Sequence, residues 1–208
     1  MFRSQQQQDD FFQHVAAVIT QPCDLYVYGG TAMICLGLPK RQTNDVDVFT
    51  SGQVDLRSAV EQIADQFETK VDDFDPNEFV YLPSELLEPP QLYKRFDRLS
   101  VYIIDPHRIA TDKLDRGLRN DILDVKWLLE TSRINVARML ACIEAARDVE
   151  DRQAMRARFA GIRGLPLPSS VSTPQAASNS RGSFWRRLGW GIVVAVLLVV
   201  VIILIVSG

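Results

Sequence analysis

Two short clusters in the first quarter of the chain contain residues suited to phosphate and metal chemistry. One is a glycine pair, Gly29-Gly30, and the other is Asp45-Val46-Asp47. Residues two apart in a β-strand point to the same side, so Asp45 and Asp47 are predicted to hold their carboxylates together. Such a pair suits Mg²⁺, or Mn²⁺ in its place, because Mg²⁺ takes one or two carboxylates plus phosphate oxygens and waters. The pair therefore predicts a metal site in which a nucleoside triphosphate supplies the phosphate ligands.

The glycine pair lies between an apolar run at 25–28 and a compact apolar segment at 31–36. Glycines at a strand-to-helix turn let the backbone approach a ligand, and the amide N–H groups at the start of the helix favour an anion. A tight turn that binds nothing is the alternative for Gly29 and Gly30. A solvated strand face is likewise the alternative for Asp45 and Asp47.

Apolar periodicity predicts the elements that position these clusters. Helices are predicted to begin at Asp9 or Asp10 and at Asp55, with a short helix at 31–36. Strands are predicted at 25–28, 45–49, 79–82 and 99–104. Further helices are predicted over 118–129, 136–143 and 147–159, the first with a buried stripe of Leu118, Ile122, Val125 and Leu129. This order predicts an α/β or α+β fold, with a small mixed sheet and a C-terminal helical part.

The order of the clusters resembles the nucleotidyltransferase superfamily, in which a Gly-Gly or Gly-Ser turn precedes Asp-x-Asp on the next strand. The closer likeness is to the AbiEii-type toxin nucleotidyltransferases and their uncharacterised bacterial relatives. Those proteins commonly show Gly-Gly-x-Ala and then Arg-x-Thr-x-Asp-x-Asp, matched here by Gly29, Gly30, Ala32, Arg41, Thr43, Asp45 and Asp47. They also carry a Lys-Leu helix and a later segment with one Arg and two Asp, found here as Lys113-Leu114 and then Arg119, Asp121 and Asp124. The likeness spans about residues 25–129.

This resemblance implies that Asp45 and Asp47 hold the metal that bridges the triphosphate while a nucleotidyl group is transferred and pyrophosphate leaves. It also implies that nucleotide is bound by Gly29, Gly30, Thr31, Arg41, Thr43, Lys113 and Asp124. Lys113 is expected to contact phosphate.

Two further roles follow from the resemblance. Asp121 or Asp124 should lie near the site, either orienting the acceptor or holding Lys113 and Arg119. We favour the holding role for Asp124 and take Asp121 as catalytic. Active members usually have a third carboxylate on a later strand, and Asp97 and Asp105, which flank the 99–104 strand, are the candidates. The alternative for the Lys113 to Asp124 segment is an ordinary charged helix face.

The function that the resemblance implies is transfer of a nucleoside monophosphate from an NTP to an unknown acceptor. That acceptor is expected to be tRNA or protein, in a setting related to toxins or defence. The alternative is a degenerate domain of the same fold that binds nucleotide or a partner protein without transfer.

Composition narrows the remaining possibilities. The 208-residue chain has a net charge of −3 and no basic stripe in its body, which offers no support for a large nucleic-acid-binding face. Three scattered cysteines argue against a zinc site or disulfide framework, and a reducing setting fits best. The two histidines have no partner at ligand spacing, so we expect surface or loop positions for them. The polar residues 1–10 lack the pattern of a secretory signal.

An uncharged apolar run at 188–206 is long enough to cross a bilayer as one helix. Arg181, Arg186 and Arg187 precede it and no Lys or Arg follows, which predicts a cytoplasmic N-terminal domain on a single-pass membrane anchor. The expected organisation is a nucleotidyltransferase-like domain at 1–160, a flexible linker at 161–184 and the anchor at 185–208.

The anchor yields a first prediction. We expect the full-length chain to fractionate with membranes and to need detergent for release, because the 188–206 segment buries its apolar side chains in lipid. Fractionation of cell lysates followed by detergent extraction measures this. Recovery of the full-length chain in the soluble fraction without detergent would contradict it.

Overall fold

The computed structural model describes residues 1–73, 75, 82–146 and 149–164. Within them, five strands form one mixed sheet in the order β3-β2-β1-β5-β4. The strands are β1 (Cys23–Val27), β2 (Asp45–Phe49), β3 (Lys70–Asp73), β4 (Gln91–Phe96) and β5 (Leu99–Ile103). The pairs β1–β5 and β2–β3 are parallel, and the pairs β1–β2 and β4–β5 are antiparallel. The prediction of a small mixed sheet is confirmed.

The described residues also form seven α-helices. Three lie in the first half of the chain and are α1 (Gln5–Val18), α2 (Gly29–Cys35) and α3 (Val54–Gln66). The C-terminal helical part contains α4 (Pro106–Arg116), α5 (Arg119–Glu130), α6 (Val136–Ala145) and α7 (Val149–Ile162). This arrangement fits an α+β nucleotidyltransferase fold. None of the helices in the described ranges combines the length and apolar character that crossing a bilayer requires, and 185–208 lies outside those ranges.

The alternation of buried residues along the central strands fixes which side of the sheet carries the acids. Val46 and Val48 of β2 are buried, as are the neighbouring side chains of β1 and β5 at Leu25, Val27, Leu99 and Val101. Phe11 and Phe12 of α1 are buried in the same core. Because successive side chains alternate between faces, Asp45 and Asp47 emerge together on the opposite face of β2.

Several predicted boundaries were wrong, each for a local reason. Helix α1 begins at Gln5, where the Ser4 hydroxyl accepts the amide N–H of Gln7 at 3.2 Å, so neither Asp9 nor Asp10 is its cap. Its first turn is polar and shows no apolar period. In α5 the buried side chains include Asp121, Asp124, Val125 and Leu128, whereas Leu118 precedes the helix and is exposed.

Two strands escaped prediction, and one predicted strand is not described. The edge strands β3 and β4 are short or mostly polar, so they show little apolar alternation. Of the predicted strand at 79–82, only Leu82 is described, and it lies outside any strand.

A buried polar cluster fixes the start of α4. The Asp105 carboxylate accepts hydrogen bonds from the backbone N–H and the Nδ1 of His107 and from the amide of Glu88 at 2.8–3.0 Å, and Arg138 Nη2 lies 2.9 Å from its Oδ2. His107 Nε2 accepts the amide of Asn135 at 3.0 Å, so this histidine is buried, contrary to the expected surface or loop position. Burial acts to raise the pKa of Asp105, but its hydrogen bonds hold that pKa below the ordinary range.

We predict that Asp105→Asn lowers the free energy of unfolding by about 2 kcal/mol at pH 7, because it weakens buried charge-assisted hydrogen bonds. A lowered folded pKa contributes stability that is present above the unfolded value of about 3.9 and is lost as the pH falls through the folded value. The difference between variant and wild type should therefore shrink below about pH 4 in urea unfolding. Asp97→Asn is the control, because the Asp97 side chain is 72% exposed. Equal losses of unfolding free energy in Asp105→Asn and Asp97→Asn would contradict this stabilising role of Asp105.

Candidate active site

The carboxylate of Asp47 lies at the start of α2. Its Oδ2 accepts the amide N–H of Thr31 at 3.0 Å, and the Thr31 hydroxyl accepts the amide N–H of Asp47 at 2.8 Å. The same hydroxyl lies 3.4 Å from the carbonyl oxygen of Asp45. Strand β2 and helix α2 are therefore tied together at the acids. The anion at this helix start is the protein's own Asp47, where the sequence had suggested a ligand.

Both glycines are required by close contacts with β2 and the loop before it. A Cβ at Gly29 would lie 2.6 Å from Cγ and Oδ2 of Asp47, and Gly29 has a φ of +53° that side chains disfavour. A Cβ at Gly30 would lie 2.8 Å from the Thr43 hydroxyl oxygen. The glycine pair therefore makes room for Asp47 and Thr43.

One cavity of about 320 Å³ collects residues from both sequence clusters. It is bordered by α2, by the loop before β2, by β2 itself, and by the turn between α4 and α5. Its walls are formed by Gly30, Arg41, Thr43, Asp45, Asp47, Arg116, Leu118, Arg119, Asn120 and Asp121. Three arginines thus border the same cavity as the two strand acids.

A buried ion-pair network lies behind this cavity. The Lys113 side chain is 1% exposed, with its Nζ 3.1 Å from Asp121 Oδ1 and 2.7 Å from Asp124 Oδ2. Asp121 also pairs with Arg116 at 2.8 Å, and Asp124 with Arg41 at 3.2 Å. Asp124 therefore holds Lys113 together with Arg41, whereas the sequence had paired it with Arg119. Arg119 makes no ion pair within the described part of the chain.

Two acids of the site, Asp47 and Asp121, have pKa values that are shifted in opposite directions. Burial raises the pKa of Asp47, although amide N–H groups of Thr31 and Gly30 and the charge of Lys113 oppose it. For Asp121, burial acts to raise the pKa, but the hydrogen bond from Arg116 and the charge of Lys113 lower it overall. Asp121 is thus held as a carboxylate inside the network.

A third acid, which the sequence did not indicate, lies beside Asp47. Asp72 of β3 is the register partner of Asp47, so both side chains share a face. Burial and the negative charge of Asp45 raise the pKa of Asp72, and Asp72 in turn contributes to raising that of Asp47. The signal that could have found Asp72 is the β2-α3-β3 order, because a parallel strand after α3 brings its acid next to β2.

The structure brings together most, but not all, of the residues predicted for the site. Neither earlier candidate for the third acid borders the cavity, since Asp97 lies in the β4–β5 turn and Asp105 caps α4. Asp72 is next to Asp47 in the sheet but does not form part of the cavity wall either. Gly29 and Lys113 border a smaller adjacent cavity of about 70 Å³. Across the described ranges, no three acidic, histidine or cysteine side chains converge as a complete metal site. Any metal here would need ligands from a bound molecule as well.

Comparison with known protein families identifies the family to which the chain belongs. Residues 9–160 match a family model described as "Nucleotidyltransferase of unknown function (DUF6036)". The chain therefore belongs to this nucleotidyltransferase family. No curated protein and no solved structure matches it. The closer likeness to AbiEii-type proteins stays a prediction.

The network predicts a large effect at Lys113. We expect Lys113→Met to lower the free energy of unfolding by about 3 kcal/mol, because it leaves two buried carboxylates short of a cation. Lys126→Met is the matched control, since Lys126 pairs with Glu130 in solvent at 3.7 Å and should change stability by less than about 0.5 kcal/mol. Chemical denaturation at pH 7 measures both. Indistinguishable values for the two variants would show that the network contributes nothing.

Proposed function

We propose that the protein transfers a nucleoside monophosphate from an NTP to an acceptor hydroxyl, using the cavity that Asp45 and Asp47 border. The observation that supports this most is that two strand carboxylates and three arginines border one cavity of about 320 Å³. A triphosphate with a bound divalent cation carries negative charge that would pair with the arginines and positive charge that would pair with the carboxylates.

The arginines divide into two groups by their contacts. Arg41 and Arg116 are already paired with Asp124 and Asp121, so they present only part of their donor capacity to a ligand. Arg119 is exposed and has no ion pair among the described residues, so it is the arginine best placed to bind phosphate oxygens. Lys113 is held between two carboxylates, and we propose that it positions Asp121 and Asp124 rather than contacting phosphate.

The acids fit a magnesium ion that shares its ligands with a nucleotide. Mg²⁺ commonly takes one or two protein carboxylates and completes its octahedron with phosphate oxygens and waters. Asp45 and Asp47 would hold it, with Asp72 adding negative charge from the next strand. When bound, the ion would neutralise phosphate charge during transfer. Burial raises the pKa of Asp72 most, and the negative charge of Asp45 adds to it; a bound cation would relieve this second contribution.

The chemistry follows from these placements. The acceptor oxygen attacks the α-phosphorus and forms a new P–O bond, while the bond to the β-phosphate oxygen breaks and pyrophosphate leaves. The hydroxyl proton passes to a base. The protein contributes alignment of the reacting groups and charge stabilisation, which are the main effects available to enzymes in phosphoryl and nucleotidyl transfer.

A binding module without transfer is the second candidate, and one observation favours it. Asp47 already accepts a hydrogen bond from the start of α2, which engages one of its oxygens. A domain of this kind would bind nucleotide and signal its presence.

We also propose an acceptor and a location for the protein. An RNA or protein hydroxyl is the acceptor that the family resemblance favours, and a toxin or defence setting comes from that resemblance alone. We propose that the apolar run at 188–206 holds the domain at the cytoplasmic face of a bilayer. Such a tether would restrict transfer to acceptors near that membrane.

The proposal predicts that Asp45→Asn abolishes NTP-dependent label transfer and pyrophosphate release while the free energy of unfolding stays near that of wild type. Asp47→Asn should also abolish transfer, with an added loss of stability of about 1 kcal/mol from its weakened bond to α2. The assay uses full-length protein, Mg²⁺, each α-labelled NTP, and RNA or protein fractions as acceptors.

Asp24→Asn is the control, because Asp24 is an exposed acid on β1. It should leave transfer unchanged. Nucleotide binding without transfer in wild type would support the binding module instead. Transfer that survives in Asp45→Asn would refute the proposed site.

A further inference from the structure

Three aromatic side chains form a strip across the sheet next to the acids. Tyr26 of β1 lies between Phe49 of β2 and Tyr102 of β5. The Tyr26 and Tyr102 rings are stacked with centroids 5.6 Å apart and planes at 27°, and the Tyr26 and Phe49 centroids are 6.2 Å apart. All three side chains keep partial solvent exposure, although their strand neighbours on the other face are fully buried.

The strip shares a strand and a face with the proposed metal site. Phe49 follows Asp47 by two residues on β2, so both side chains point to the same side at a spacing of about 7 Å. Tyr26 is the register partner of Phe49. The distance between the acids and the rings is therefore similar to the length of the ribose that separates a base from its α-phosphate.

A second cavity, of about 330 Å³, opens on two of these rings, Tyr26 and Phe49, and Tyr102 stacks on Tyr26 beside it. Its charged residues differ from those of the first cavity. Tyr26 and Phe49 form part of its wall, together with Asp75, Glu88, Asp105 and Arg108. Arg138 pairs with both Glu88 and Asp105 beside this wall, so the charged groups around the cavity still sum to a net negative charge, which disfavours a phosphate group here. The volume and the aromatic wall suit one uncharged ring system.

We propose that Tyr26, Phe49 and Tyr102 form a stacking subsite for the base of the nucleoside triphosphate. This inference rests on the proposed function, because it takes the triphosphate to lie in the cavity of Asp45 and Asp47. Stacking on aromatic rings accepts any base, since every base has a π-face. The base of an RNA acceptor suits the cavity less well, because its flanking phosphates would meet the acidic wall.

The test compares equilibrium binding of ATP, GTP, CTP and UTP with that of inorganic tripolyphosphate, which lacks a base. Full-length wild type with Mg²⁺ should bind at least one NTP more tightly than tripolyphosphate. Tyr26→Leu and Phe49→Leu should each weaken NTP binding roughly 5- to 150-fold and leave tripolyphosphate binding unchanged. Tyr26→Phe keeps the ring and should bind NTP like wild type.

Tyr93→Leu is the matched control, since Tyr93 is a sheet tyrosine that donates a hydrogen bond to Asp9 of α1 at 2.8 Å. It should leave NTP binding unchanged, and thermal unfolding of every variant checks that the sheet is intact. NTP affinities in Tyr26→Leu and Phe49→Leu equal to wild type would overturn the subsite. Weaker binding of single-stranded RNA with unchanged NTP binding would also overturn the subsite, because it would show that the strip binds the acceptor.

The two proposals fail in different ways. Normal base-dependent binding together with an absence of transfer would remove the transfer function and keep the subsite. Transfer that depends on Asp45 but not on Tyr26 or Phe49 would keep the function and remove the subsite.

Discussion

The contact between the Asp47 carboxylate and the start of α2 is the constraint on which the site depends. That carboxylate accepts the Thr31 amide and lies directly over Gly29, where no side chain could fit. Thr31 completes the join by accepting the Asp47 amide with its hydroxyl. These contacts fix β2 relative to α2 at Asp47, a residue that the proposed chemistry needs. Asp45 lies on the same face of β2 and is positioned with it.

Ion pairs connect the C-terminal helices to this site. Lys113 of α4 is surrounded by two acids of α5, and those acids extend outward to Arg116 and to Arg41 in the loop before β2. Buried pairs of this kind contribute little net stability compared with an apolar core, but breaking one is costly. We interpret the network as a device that holds the α4–α5 turn, with Arg119, against the strand acids. We propose that the motif residues Lys113 and Asp124 act by positioning this turn, without touching the substrate.

Much of this centre could be predicted from sequence because its signals are local. The Gly-Gly turn and the alternation of Asp45, Val46, Asp47 and Val48 depend on neighbouring residues alone, and the structure confirms the strand and the turn. The burial of Lys113 and the pairing of Asp124 with Arg41 depend on contacts between distant segments, which no spacing rule reveals. Asp72 was missed because β3 is a short edge strand with one apolar residue, Val71, among polar neighbours. Its role became visible only through register with β2.

We propose that Asp45 and Asp47 share one site with a triphosphate, and a crystal structure of the protein with Mg²⁺ and a non-hydrolysable NTP analogue would test this. We expect a metal ion in contact with both carboxylates and with phosphate oxygens, and phosphates directed toward Arg119. A triphosphate bound elsewhere on the protein, with Asp45 and Asp47 contacting neither metal nor nucleotide, would contradict it.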